Sequence, residues 1–177
     1  MEGSLKEIIK DVSCYRDMKT TRVRQGGKHY SVPRPTLPIL YDAWVAYGPA
    51  AGARLRVKVL LDTGNDVTII DPEAVQRLEE EIRRKIDAGE IEDSVPAMIP
   101  AEKHFEYYHN AAYQPAFDLT LFLTDEDRYT SDFVFISPEG WPFEGIEVWL
   151  GQDIFSKLVV TFDGPGQTVT IAERQKE

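Results

Sequence analysis

Residues 57–70 read Val57-Lys58-Val59-Leu60-Leu61-Asp62-Thr63-Gly64-Asn65-Asp66-Val67-Thr68-Ile69-Ile70, one Asp-Thr-Gly triplet between two apolar runs. Before the triplet, Val57, Val59 and Leu61 alternate with Arg56, Lys58 and Leu60, the near period-two pattern of a strand with one buried face. After it, Val67, Thr68, Ile69 and Ile70 resume β-character. Gly64 tolerates a close backbone approach or a positive φ, and Thr63 offers a short hydroxyl for a backbone or carboxylate partner. Strand, tight turn and strand would mount the Asp62 carboxylate at the rim of a sheet. Taken alone, the triplet reads most simply as a hairpin turn, because all three residue types are common in turns.

A second stretch changes that reading. Residues 147–154 are Glu-Val-Trp-Leu-Gly-Gln-Asp-Ile, followed by Phe155-Ser-Lys-Leu158 and a run to Ile171 that contains the turn Asp163-Gly164-Pro165-Gly166. The order is apolar strand, glycine, short helix, hairpin. With both stretches in place, the chain resembles the retropepsin-like (retroviral-type) aspartic proteases, and its closing hairpin resembles their bacterial branch. Leu60-Leu61-Asp62-Thr63-Gly64 matches that family's first motif, and Trp149-Leu150-Gly151 its second. The resemblance spans roughly residues 36–172. It departs from the family in three places: no Gly-rich flap lies between Gly89 and Gly140, position 65 is Asn, and Gln152-Asp153 replaces the frequent Arg-Asp or Arg-Asn.

The resemblance implies a mainly β, acid-protease half-barrel with one or two short helices, working as a homodimer. One chain supplies one Asp-Thr-Gly, whereas the family's chemistry uses two carboxylates. Asp62, Thr63 and Gly64 would be the catalytic residues, with Asn65, Asp66 and Gly151 against substrate. The flap hairpin would fall near residues 99–110, so Tyr107 or Tyr108 would close over a bound peptide; both tyrosines read equally well as ordinary strand residues. The implied activity is aspartic endopeptidase. The alternative is a non-proteolytic dimeric domain of the same fold that binds peptides or regulates.

The rest of the sequence places these motifs. At 177 residues and 42% hydrophobic content the chain suits one domain. Residues 39–47 read as a strand, and residues 48–52 as the turn into the strand that leads to Asp62. Asp71-Pro72-Glu73 carries an N-cap, a first-turn proline and an acidic first turn. Val75, Leu78, Ile82 and Ile86 then form one apolar stripe of a helix that Gly89 should end. The pairs Glu79/Arg83, Glu80/Arg84 and Glu81/Lys85 are spaced for i, i+4 contacts on its outer side. Further strands are expected over residues 117–123, 133–136 and 146–150.

Charge is uneven. Residues 1–35 hold eight Lys or Arg against four Asp or Glu, a net of +4, leaving −14 on residues 36–177 of a chain whose total is −10. We read residues 1–35 as a basic extension and linker, its Leu5, Ile8, Ile9 and Val12 spaced as on a short helix, and residues 36–177 as the protease-like domain. The acidic domain would repel a phosphate backbone, which argues against nucleic acid as the principal ligand. His104 and His109 lack a third ligand, so no metal is expected, and no cofactor-binding motif is visible. The single cysteine, Cys14, has no partner for an intrachain disulfide. With neither a signal-peptide pattern nor an apolar run of spanning length, the expected setting is cytoplasmic, away from the membrane.

Overall fold

The structure is a computed structural model that describes residues 4–13, 19–25, 28–34, 38–99, 105–107, 111–116, 119–124, 128–130, 134–136 and 145–175. In chain order its strands are β1 (Leu5–Ser13), β2 (Lys19–Gln25), β3 (Lys28–Arg34), β4 (Ile39–Tyr47), β5 (Arg54–Leu61), β6 (Thr68–Ile70), β7 (Phe105–Tyr107), β8 (Ala111–Ala116), β9 (Leu119–Phe122), β10 (Arg128–Thr130), β11 (Val134–Ile136), β12 (Val148–Leu150), β13 (Leu158–Asp163) and β14 (Thr168–Arg174). The helices are α1 (Pro72–Asp87) and α2 (Gln152–Phe155). The fold is mainly β, and its largest sheet curls into a half-barrel.

That sheet has nine strands in the order β10-β9-β4-β5-β12-β6-β11-β8-β7. The β4–β5 pair is antiparallel and joined through a short 3-10 turn at Gly48–Ala50, as the turn residues predict. β5 begins with alternating exposed and covered residues and ends fully buried at Val59, Leu60 and Leu61. The change reflects its neighbours, because its last three residues lie beside β12 as well as β4. β5 and β6 do not pair with each other. β12 lies between them, parallel to β5 (Val148 opposite Val59, Leu150 opposite Leu61) and antiparallel to β6 (Val148 opposite Ile70). The chain around Asp62 is therefore no hairpin turn.

Helix α1 follows its sequence signals. The Asp71 carboxylate accepts from the Glu73 backbone N–H at 3.1 Å, Pro72 sits in the first turn, and Gly89 takes a φ of 70° just past the end. Ala74, Val75, Leu78 and Ile82 are buried, and the helix packs on β5 and β4. The charged side differs from the expected i, i+4 pattern. Arg84 forks onto Glu81 at i−3, with both nitrogens 2.7 Å from carboxylate oxygens, while Lys85 reaches Glu90 at 3.0 Å. The hydrogen bond from Arg84 is the main reason the Glu81 carboxyl is held below its ordinary value. Glu79 turns to the Ile99 backbone N–H at 2.9 Å, pinning the segment that leaves the helix.

The expected N-terminal helix is a strand. β1 pairs antiparallel with β14, which also pairs with β13, giving a three-stranded sheet. Its register shifts twice, between Glu7 and Ile9 and between Ile9 and Val12. Each irregularity adds a residue to β1 relative to β14, so apolar positions recur at three rather than two, and this mimics helical spacing. Ile9 joins the same core as Val57, Leu61, Leu78, Leu150, Ile154 and Ile171, so the N-terminal segment contributes a strand to the domain. β2 and β3 form a separate two-stranded sheet in which Gln25 lies opposite Lys28. No helix among the described residues is long and apolar enough to cross a membrane.

Truncating Leu78, fully buried under α1, to Ala should cost about 2–5 kcal/mol of stability. Asp71→Ala should cost only about 1 kcal/mol through the lost cap. Urea denaturation of both variants checks the ranking, which reverses if α1 is peripheral to the core.

Candidate active site

Asp62 directly follows β5, whose last residue, Leu61, donates its N–H to the Pro38 carbonyl at 2.9 Å. The Asp62 side chain is half-buried. Its Oδ1 accepts from the Gly64 N–H at 2.8 Å, and the Asn65 N–H lies 3.4 Å from the Asp62 carbonyl, so the carboxylate is held by its own turn. Thr63 and Gly64 are exposed at the apex, whereas Asn65 is half-buried with its amide donating to the Val67 carbonyl at 2.6 Å. A tied carboxylate on an exposed apex, at the end of a buried strand, is rigid and reachable.

β12 brings the second motif to this turn. Gly151 is buried with a φ of −106°, a backbone conformation open to any residue, so the need for glycine here is one of space. A Cβ would sit 2.7 Å from the Val67 nitrogen and closer still to the Val67 carbonyl carbon and oxygen. Past that contact, the Gln152 N–H donates to the Asn65 carbonyl at 2.8 Å and the Asp153 N–H to the Asp66 carbonyl at 3.2 Å. The Gln152 side-chain amide also donates to the Thr63 carbonyl. The start of α2 thus lies along the whole Asp62 turn and uses its otherwise unpaired N-terminal donors to hold it.

Three residues that the sequence reading left without a role complete the arrangement. Thr68 is the one buried polar side chain among the described residues. Its hydroxyl accepts from the Gly151 N–H at 3.1 Å and donates to Asp153 Oδ1 at 2.8 Å, so β6, β12 and α2 meet at one oxygen. Glu147 locks the opposite end of β12. Its N–H donates to the Lys58 carbonyl at 3.0 Å, its Oε2 accepts from the Lys58 N–H at 2.7 Å, and its carbonyl accepts from the Asp71 N–H at 2.9 Å. Gln152 stands where the resemblance led us to look for arginine, and it reaches the turn as a neutral donor. A buried Thr in a β-branched run and a Glu before a strand carry no distinctive local pattern, which is why neither was singled out.

Of the expected site residues, Asp62, Thr63, Gly64, Asn65, Asp66 and Gly151 fall within this one cluster. Tyr107 ends β7, which pairs with β8 so that Tyr107 lies opposite Ala111; a hairpin therefore occupies the region expected of the flap. Tyr108, Cys14, His104 and His109 lie outside the described residues. No group of three or more His, Cys, Asp or Glu able to hold a metal occurs among the described residues. Comparison with protein-family models and with curated protein sequences returns no match.

Gly151→Ala should destabilise the fold, because β12 and the Val67 backbone cannot both keep their places. Thr68→Val, nearly the same shape, should cost about 1–3 kcal/mol by leaving the Gly151 N–H and the Asp153 carboxylate short of a partner, while Thr68→Ser keeps most of the stability. Equal stability of the Val and Ser variants in urea denaturation would remove the hydroxyl from this role.

Proposed function

We propose that the chain is an aspartic endopeptidase of retropepsin type, active as a homodimer with Asp62 of each copy facing the two-fold axis. The observation that carries this reading is the insertion of β12 between β5 and β6, which pairs Trp149 and Leu150 with Leu60 and Leu61 just before Asp62 and sets Gly151 against Val67 at the far end of the Asp62 loop. A turn that only linked two strands would not require a third strand between them, a glycine without room for a methyl group, or backbone donors from α2 aimed at two of its carbonyls.

The chemistry follows from placing two such turns together. In an isologous contact the same patch meets itself, and an exposed apex can do so. Two carboxylates that close do not readily both ionise, so they share one proton, as aspartic-protease dyads do. The ionised member takes a proton from a water held between the pair, and the protonated member polarises the scissile carbonyl. As the amine leaves, the roles exchange. Thr63 at the apex would brace one turn against the other, and exposed Gly64 would leave room for the substrate backbone. Asn65 and Asp66 flank that path, and the β7–β8 hairpin with Tyr107 and Tyr108 would cover it. The reaction needs no cofactor. A reducing cytoplasm suits a chain whose single cysteine has no intrachain partner.

Cleavage of a peptide library by the wild type should follow a bell-shaped pH curve, since one carboxylate must be ionised and the other protonated. Asp62→Asn should lower kcat/KM by about 10²–10⁴-fold without changing the oligomeric state. Undiminished cleavage by that variant would remove Asp62 from catalysis. A wild type that binds peptides as a dimer yet cleaves none at any pH would favour the non-proteolytic reading.

A further inference from the structure

We propose that Gln152 is a positioning residue for the candidate catalytic carboxylate, acting on Asp62 through the single peptide unit that joins Thr63 to Gly64. The inference rests on the peptidase reading and gives a side chain of α2 a part in turnover. Both ends of that peptide unit are engaged. Its carbonyl, on Thr63, accepts from the Gln152 side-chain amide, and its N–H, on Gly64, donates to Asp62 Oδ1 at 2.8 Å. A trans peptide is planar and carries its C=O and N–H on opposite sides, so turning one end turns the other. The Gln152 amide therefore fixes the direction in which the Gly64 N–H points, and with it the rotation of the Asp62 carboxyl group.

Two further contacts tighten this link. A Cβ on Gly64 would lie 3.1 Å from Asp62 Oδ1, closer than side chains ordinarily approach, so the carboxylate is packed on this same peptide. Gln152 itself starts from a fixed base. Its backbone N–H donates to the Asn65 carbonyl at 2.8 Å, and Gly151 before it is buried against Val67. Thr63, Gly64 and Gln152 are exposed, so hydrogen bonds rather than packing set the orientation of the plane. A donor on the carbonyl also polarises the amide and strengthens its N–H as a donor to the carboxylate. Release of the plane would misalign Asp62 without removing any surface that holds the rest of a peptide. Misalignment of this kind lowers turnover more than substrate affinity.

The test compares the wild-type chain with Gln152→Met, which keeps the side-chain length and loses the donor, and with Gln152→Glu, which has a donor only when protonated. Hydrogen exchange of the Gly64 amide, followed by NMR, should be about fivefold faster in Gln152→Met. The Leu61 N–H, which donates to the Pro38 carbonyl, should exchange as in the wild type and so report an intact fold. On a peptide that the wild type cleaves, Gln152→Met should lower kcat by about 10–100-fold and leave KM within about twofold. For Gln152→Glu, the ratio of its kcat to that of the wild type should fall as pH rises through about 4.3, the ordinary value for a glutamate. The introduced carboxyl donates to the Thr63 carbonyl when protonated and repels it when ionised. Unchanged Gly64 exchange in Gln152→Met, a loss confined to KM, or a Gln152→Glu ratio that is flat with pH would overturn the proposal. A wild type that cleaves nothing counts against the peptidase reading, and Gly64 exchange then still decides whether Gln152 holds the plane.

Discussion

The close approach of Gly151 to the Val67 backbone is the contact on which the arrangement depends. It lets β12 slide between β5 and β6 and brings the first turn of α2 against the Asp62 loop. Once β12 occupies that slot, β5 cannot form an ordinary hairpin with β6, and residues 62–67 must bridge a gap one strand wide. The bridge survives because its carbonyls are not left to solvent. Thr63 accepts from the Gln152 side chain, and Asn65 and Asp66 accept from the backbone of Gln152 and Asp153.

Thr68 and Glu147 hold the two ends of the inserted strand. At one end a buried hydroxyl satisfies the Gly151 N–H and the Asp153 carboxylate together; at the other, Glu147 joins β5 to the N-terminus of α1 through Lys58 and Asp71. A buried polar group such as the Thr68 hydroxyl is costly unless satisfied, and once satisfied it helps to specify a unique register. Functionally, the consequence is a carboxylate whose position is set by three elements far apart in sequence.

Much of this was legible in the residues, and the failures have physical causes. The Asp-Thr-Gly turn, the β4–β5 hairpin and α1 with its Asp71 cap are local, encoded by period, cap and turn chemistry, and the structure places them where the residues indicate. The partnership of Leu150-Gly151 with Asp62 is non-local and was reached only through a family resemblance, since nothing in residues 57–70 says which strand will lie beside them. β1 was misread as helix because its register shifts convert a period of two into steps near three. β8 (Ala111–Ala116) was not anticipated, and its Pro115 lacks the N–H that a strand pattern leads one to expect. On one side β8 pairs with β11, which sets Pro115 opposite Phe135. Thr68 escaped notice because a threonine among isoleucines looks like any strand residue until its hydroxyl is found buried.

The central claim is that one chain holds half of a catalytic centre, completed by a second copy. It is tested most directly by mixing wild type with increasing proportions of Asp62→Asn, allowing subunits to exchange, and measuring peptide cleavage. If each active centre needs Asp62 from both copies, activity falls with the square of the wild-type fraction, because mixed dimers are inactive. A fall that is merely linear in that fraction would mean that each chain acts alone, and would contradict the account.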